Sequence, residues 1–145
     1  MPSELSEIKN LSKTVVCVTD QRNCDRIISA GKRIADTYKT ELVVISAARS
    51  DSAQDPESIE YLFSVANENK AQMAILYSDD IAKAIINFVK SNKVSYLLTG
   101  LPQKGNSITA KIWKRFTHIT FFVVEHNGEL REVAQPVLEA RKLHP

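Results

Sequence analysis

At 145 residues the chain suits one domain with its own hydrophobic core. Its 43% apolar and 25% charged residues are ordinary for a soluble globular protein, and a net charge of +2 from scattered lysines and arginines gives no electrostatic footprint for nucleic acid. No apolar run approaches the ~20 residues of a membrane helix, and the polar stretch Met1 to Lys13 has no apolar signal core, so a cytoplasmic location without nucleic-acid or membrane partners is expected.

Residues 1–12 read as an N-terminal arm, with Leu5, Ile8 and Leu11 spaced for a short amphipathic helix. Thr14 to Thr19 is a continuous β-branched apolar run, the signature of a strand buried on both faces. Asp20 closes it, and Asn23 is a candidate N-cap for the next helix. Cys24, Ile27, Ile28, Gly31, Ile34, Ala35 and Tyr38 then recur at helical spacing as one apolar stripe. Leu42 to Ala47 is a second buried-type strand. Asp55-Pro56-Glu57 starts a helix with a capping carboxylate, a proline at the first helical position and an acid in the first turn. Ile59, Leu62, Phe63 and Ala66 are its expected buried face, and Ala71 to Tyr77 is strand three.

Ser78-Asp79-Asp80 opens another helix, with Ile81, Ile85, Phe88 and Val89 inward, and Val94 to Thr99 is strand four. Helical spacing from Ile108 to Phe116 gives a fourth helix, and Ile119 to Val124 a fifth strand. Asn127-Gly128 is a favoured hairpin dipeptide, because both residues tolerate positive φ, and Glu129 to Val133 returns as an antiparallel edge strand. Strand and helix thus alternate four times before a last strand. This predicts an α/β fold, an open and mostly parallel five-stranded sheet with helices on both faces. The domain is expected over residues 13–133, with residues 134–145 as a C-terminal tail.

Between strand four and the fourth helix lies Thr99-Gly100-Leu101-Pro102-Gln103-Lys104-Gly105-Asn106-Ser107, which holds two of the chain's four glycines. A strand, a small-residue loop and a helix start are the parts that hold an anion on backbone N–H groups. Ser107 reads as an N-cap, and Lys104, with Lys111 behind it, as a cation near a bound phosphate or simply a solvated charge. Asp20 reads either as a carboxylate favoured by the helix macrodipole or as an acceptor for a ribose or base amine. Cys17, inside an apolar run, is expected to be a buried hydrophobe. Cys24 is expected nearer the surface, where a helix start would lower its pKa. Trp113, Phe121 and Phe122 are candidates for an apolar self-association patch. Walker A, G-x-G-x-x-G and nucleophile-elbow motifs do not occur, and His118, His126 and His144 form no ligand pair with one another or with the cysteines. No metal site or convergent catalytic group is legible, so a non-enzymatic role is favoured.

Several stretches carry a family resemblance: Val15 to Asp20, Leu42 to Ile45, Asp80 to Ile86, Tyr96 to Gly100, the Gly/Ser turn before the last helix, and Phe121 to Val124. Over about residues 13–125 the chain resembles the universal stress protein family, and more narrowly the stress-protein-like domain of bacterial potassium-sensing histidine kinases. The resemblance implies strand order 3-2-1-4-5 and a ligand crevice at the carboxyl ends of strands one and four. It implies that Asp20 matches the acid closing strand one in nucleotide-binding members. Ser46 and Ala47 match the end of strand two beside adenine, Thr99 and Gly100 the start of the phosphate loop, and Gly105, Asn106 and Ser107 its closing turn. It further implies ATP or another adenine nucleotide, with Mg²⁺, as ligand, and a homodimer along strand five, whose edge the hairpin strand would cover.

The chain departs from the family's ATP pattern of glycine, two residues, glycine, nine residues, then glycine and Ser or Thr. Gln103 stands at the second glycine, and Gly105 comes too early for the third. Two functions are favoured by the sequence, ahead of a weak nucleotide hydrolase, for which no convergent acid, base or nucleophile is visible. One is a nucleotide-responsive regulatory module. The other is a protein-interaction or scaffold module in stress or signalling that binds no nucleotide and acts through a protein partner.

Overall fold

The computed structural model describes residues 12–18, 24–48, 56–100, 115, 116 and 118–133. Six strands form one sheet in the order β3-β2-β1-β4-β5-β6. In chain order the elements are β1 (Lys13–Val18), α1 (Cys24–Tyr38), β2 (Glu41–Ala48), α2 (Pro56–Glu68), β3 (Gln72–Tyr77), α3 (Ile81–Ser91), β4 (Val94–Gly100), β5 (Thr120–Val124) and β6 (Leu130–Val133). β1 to β5 pair in parallel, and β6 pairs antiparallel with β5. Strand order reverses between β1 and β4, the arrangement that the family resemblance implies.

The unbroken apolar runs explain the sheet. Val15 and Val16 point to opposite faces and are both fully buried, as are Val44 and Ile45. On the first face α1 and α2 bury Ile28, Ile34, Leu62 and Val65 against Val16, Val44, Leu98 and Val124. On the second, α3 buries Ile85 and Val89 against Val15, Ile45 and Leu97, joined by Phe116 and Ile119. The close approach of α1 to β1 demands glycine at position 31. A Cβ on Gly31 would overlap Val16 Cγ2 and stand 3.0 Å from Leu42 Cδ1.

Helix ends follow local chemistry. The Asp80 carboxylate accepts the Lys83 N–H at 3.1 Å and caps α3. α1 and α2 each end in a lysine with left-handed backbone, Lys39 (φ 58) and Lys70 (φ 55). The next N–H in each case returns to an earlier helical carbonyl, Thr40 to Ala35 at 3.0 Å and Ala71 to Ala66 at 2.9 Å, as in a Schellman motif. In the β5–β6 hairpin, Gly128 takes φ 87 and Asn127 Oδ1 accepts the Glu129 N–H at 3.0 Å.

Three expectations change. Phe63 is 48% exposed and borders an open groove beside β3, while Val65 joins Leu62 and Ala66 on the buried face. Tyr38 is 51% exposed and covers the sheet with its ring, stacked 4.6 Å from Tyr96. Cys24 is fully buried rather than near the surface, since the first residue of α1 belongs to the stripe that faces the sheet. The expected arm before Ser12, the tail, Asn23, Asp55 and Trp113 lie outside the described residues, as does the fourth helix before Arg115. Among the described residues no helix is long and apolar enough to cross a membrane.

Candidate functional site

Parallel strands all present their carbonyl ends at one edge, and side chains there belong to no ladder beyond it. β1 lies centrally between β2 and β4. Its last residue, Val18, is in register with Ser46, and Cys17 is in register with Thr99. The ends of β2 and β4 therefore flank the end of β1 at two strand spacings, roughly 9–10 Å. α1 leaves β1 on the first face, and in open sheets of this topology a ligand crevice is expected where strand order reverses.

Four of the residues singled out in the sequence meet here. Ser46 is buried and pairs with Val18 on one side and Ile75 on the other. Ala47 follows it, half-buried, in register with Leu76. Thr99 stands between Cys17 and Val123, and Gly100 beside Val124. Asp20, Lys104, Gly105, Asn106 and Ser107 lie outside the described residues.

Thr99 holds the most informative atom. Its Oγ1 is buried and has no hydrogen-bond partner among the described residues. Such a hydroxyl costs free energy unless a partner arrives. Thr99 shares the face of Leu97, while Gly100 shares the opposite face with Leu98. A Cβ on Gly100 would meet Ile27 Cδ1 at 3.0 Å and Arg26 Nη2 at 3.7 Å. Arg26 thus reaches from the first turn of α1 to the end of β4, a role the sequence reading missed. The available signal was a cation in the first turn of a helix, where the macrodipole favours acids.

Around the start of α1 the other groups have partners. Asp25 Oδ1 accepts the Arg26 backbone N–H at 3.1 Å. Chiefly through its charge, and also through a hydrogen bond, the Asp25 carboxylate raises the Tyr61 phenol above its ordinary pKa. Burial pushes the Cys17 thiol up to about 12, so it is inert at neutral pH. No group of three or more His, Cys, Asp or Glu side chains suited to a metal ion occurs among the described residues. An open groove of about 640 Å³ between α2 and β3, lined by Phe63, Ala66, Ala71 and Met73, lies at the other edge of the sheet, away from the strand reversal.

The free edge of β5 is taken by β6 of the same chain, from Phe121↔Val133 to Val124↔Leu130. The apolar residues expected to form a self-association patch are divided by the sheet. Phe121 is buried in the second-face core, and Phe122 is half-buried beside Tyr96 on the first.

No family model matches the chain, and no curated protein does. Solved structures do. A universal stress protein from Archaeoglobus fulgidus shares 13% identity at a TM-score of 0.59, over 83% of this chain and 93% of that one. The universal stress protein from the same organism in complex with dAMP shares 12% identity at 0.58, over 85% and 99%. A universal stress protein in complex with cAMP shares 14% identity at 0.56, over 79% and 97%. At such identities the likeness establishes the fold.

Proposed function

We propose that this chain, with the fold of the universal stress proteins, is a regulatory module that binds an adenine nucleotide at the C-terminal ends of β1 and β4. The buried, unpartnered Thr99 Oγ1 at that edge carries the reading. Structural neighbours bound to cAMP and dAMP support the ligand class. The resemblance to stress-protein-like domains of potassium-sensing histidine kinases supports a regulatory rather than catalytic role.

In this reading the backbone at Ser46 and Ala47 borders the base, and Asp20 accepts from the ribose. Thr99 Oγ1 donates to the ligand, and the loop after Gly100, with Lys104, Gly105, Asn106 and Ser107, meets the phosphate on N–H groups. Mg²⁺ accompanies the ligand where it carries more than one phosphate. Binding at this place shifts an interaction surface of the module. The protein acts in the cytoplasm. Because β6 occupies the β5 edge, any homodimer in this region forms through β6.

Calorimetry of nucleotide-stripped protein against ATP, ADP and AMP, with and without Mg²⁺, tests the proposal. Heat that is lost in folded Asp20→Ala and Gly105→Val variants is the expected result. No heat at millimolar nucleotide would sink it and leave an interaction module without a nucleotide.

A further inference from the structure

Arg26 occupies a costly place. It stands in the first turn of α1, where the exposed N–H groups already carry positive partial charge. Its Nε is buried and has no hydrogen-bond partner among the described residues. Two carboxylates of this region are committed elsewhere, Asp25 to the Arg26 backbone N–H at 3.1 Å and Glu125 to Arg131 at 2.9 Å. The other arginine of α1, Arg33, donates to the Gly128 carbonyl at 2.6 Å. A guanidinium in this position is stabilised by an anion that joins it at the start of α1.

The surroundings are shaped for one. The Arg26 stem lies alongside Gly128, whose Cβ would stand 3.8 Å from Arg26 Cγ, and the guanidinium ends beside Gly100, whose Cβ would stand 3.7 Å from Nη2. No side chain of either residue stands between the guanidinium and the end of β4. Thr99 Oγ1 lies on the other face of the same strand end, so the two unpartnered polar groups bracket the place where strand order reverses. A planar fork of donors matches the paired oxygens of a phosphate.

We infer that Arg26 is the specificity-determining residue for the phosphate group of the bound nucleotide, selecting a nucleoside monophosphate over the free nucleoside at the end of β4. This rests on the nucleotide-binding reading above and adds to it the residue that reads the charge.

The test compares AMP with adenosine by calorimetry on the wild type, Arg26→Gln and Arg26→Met. The wild type is expected to prefer AMP by about tenfold or more, the scale of one charge-assisted hydrogen-bonded pair. Both variants should lose that preference while adenosine affinity stays within about twofold. The preference in the wild type should also shrink as salt is raised. Without ligand, Arg26→Met, which keeps the apolar stem, should melt no lower than the wild type, because it removes a buried Nε that has no partner among the described residues. Variants that keep the AMP preference overturn the inference and leave the nucleotide reading standing. A large fall in melting temperature with that preference intact would assign Arg26 to a carboxylate of its own chain. A wild type that binds neither AMP nor adenosine removes both proposals together.

Discussion

Replacing Thr99 with valine should make the ligand-free protein more stable and its ligand weaker. Valine keeps the shape and β-branching of threonine and deletes only Oγ1, which is buried and unpartnered among the described residues. A buried hydroxyl left unsatisfied costs about 1–3 kcal/mol. The Thr99 side chain is half-buried as a whole, so about 1–2 kcal/mol of relief is the reasonable share. Unfolding entropy near 2.1 cal/mol/K per residue gives roughly 0.3 kcal/mol/K for a chain of this length. The melting temperature should therefore rise by about 3–6 °C, read by circular dichroism, with an unchanged urea m-value showing that the unfolded state is the same. AMP affinity in the same variant should fall by about tenfold if, as proposed, the hydroxyl's partner is the ligand. A fall of several degrees would show that the hydroxyl is bonded in the free protein. A rise with unchanged AMP affinity would show that it is idle, and the reasoning would fail in either case.

Gly31→Ala should destabilise despite a helix-propensity gain of about 1 kcal/mol, because overpacking Val16 and Leu42 costs about 1–3 kcal/mol. In a Val16→Ala background the same substitution should become stabilising, and urea denaturation of the four proteins gives the coupling. Asp80→Ala should cost about 1 kcal/mol through the lost cap of α3, with Asp80→Asn recovering most of it. The Cys17 thiol deprotonates at 9.0 when unfolded and only at about 12 when folded. The unfolded state then binds fewer protons between those values, so stability that is complete below pH 9 is lost as pH rises, by up to about 1.4 kcal/mol per unit. Denaturation at pH 8, 9 and 10 should show this slope in the wild type and a shallower one in Cys17→Ala.

Much of the fold was legible because parallel strands buried on both faces leave a simple mark. Val15 to Val18 and Leu42 to Ile45 are apolar at every position, and the helices between them carry one stripe each. Asn127-Gly128 announced the hairpin that supplies β6, since the turn needs the positive φ that Gly128 adopts. Periodicity failed at the margins. Phe63 adjoins Leu62 and fits the stripe, yet its ring turns to the open groove beside β3 while Leu62, Val65 and Ala66 are buried. Cys24 was expected nearer the surface from its place at the helix start, yet its membership of the α1 stripe decides its burial.

The site was legible only where it lies in strands. Ser46, Ala47, Thr99 and Gly100 are fixed by register, so recognising their strands located them. Arg26 depends on contacts with Gly100 and Gly128, both far away in the chain, and nothing local pairs it with either. The orphaned Thr99 hydroxyl likewise arises from packing, because threonine in a strand is ordinary until its surroundings are known.

In the proposed function a nucleotide sits where β1 and β4 end. Amide chemical-shift mapping of isotopically labelled protein during an AMP titration tests it most directly. Saturable shifts confined to the ends of β1, β2 and β4, at Val18, Ser46, Ala47, Thr99 and Gly100, and to the first turn of α1 at Arg26, are predicted. Shifts concentrated instead along the α2–β3 groove at Phe63, Ala66 and Met73, or none at millimolar AMP, would contradict it.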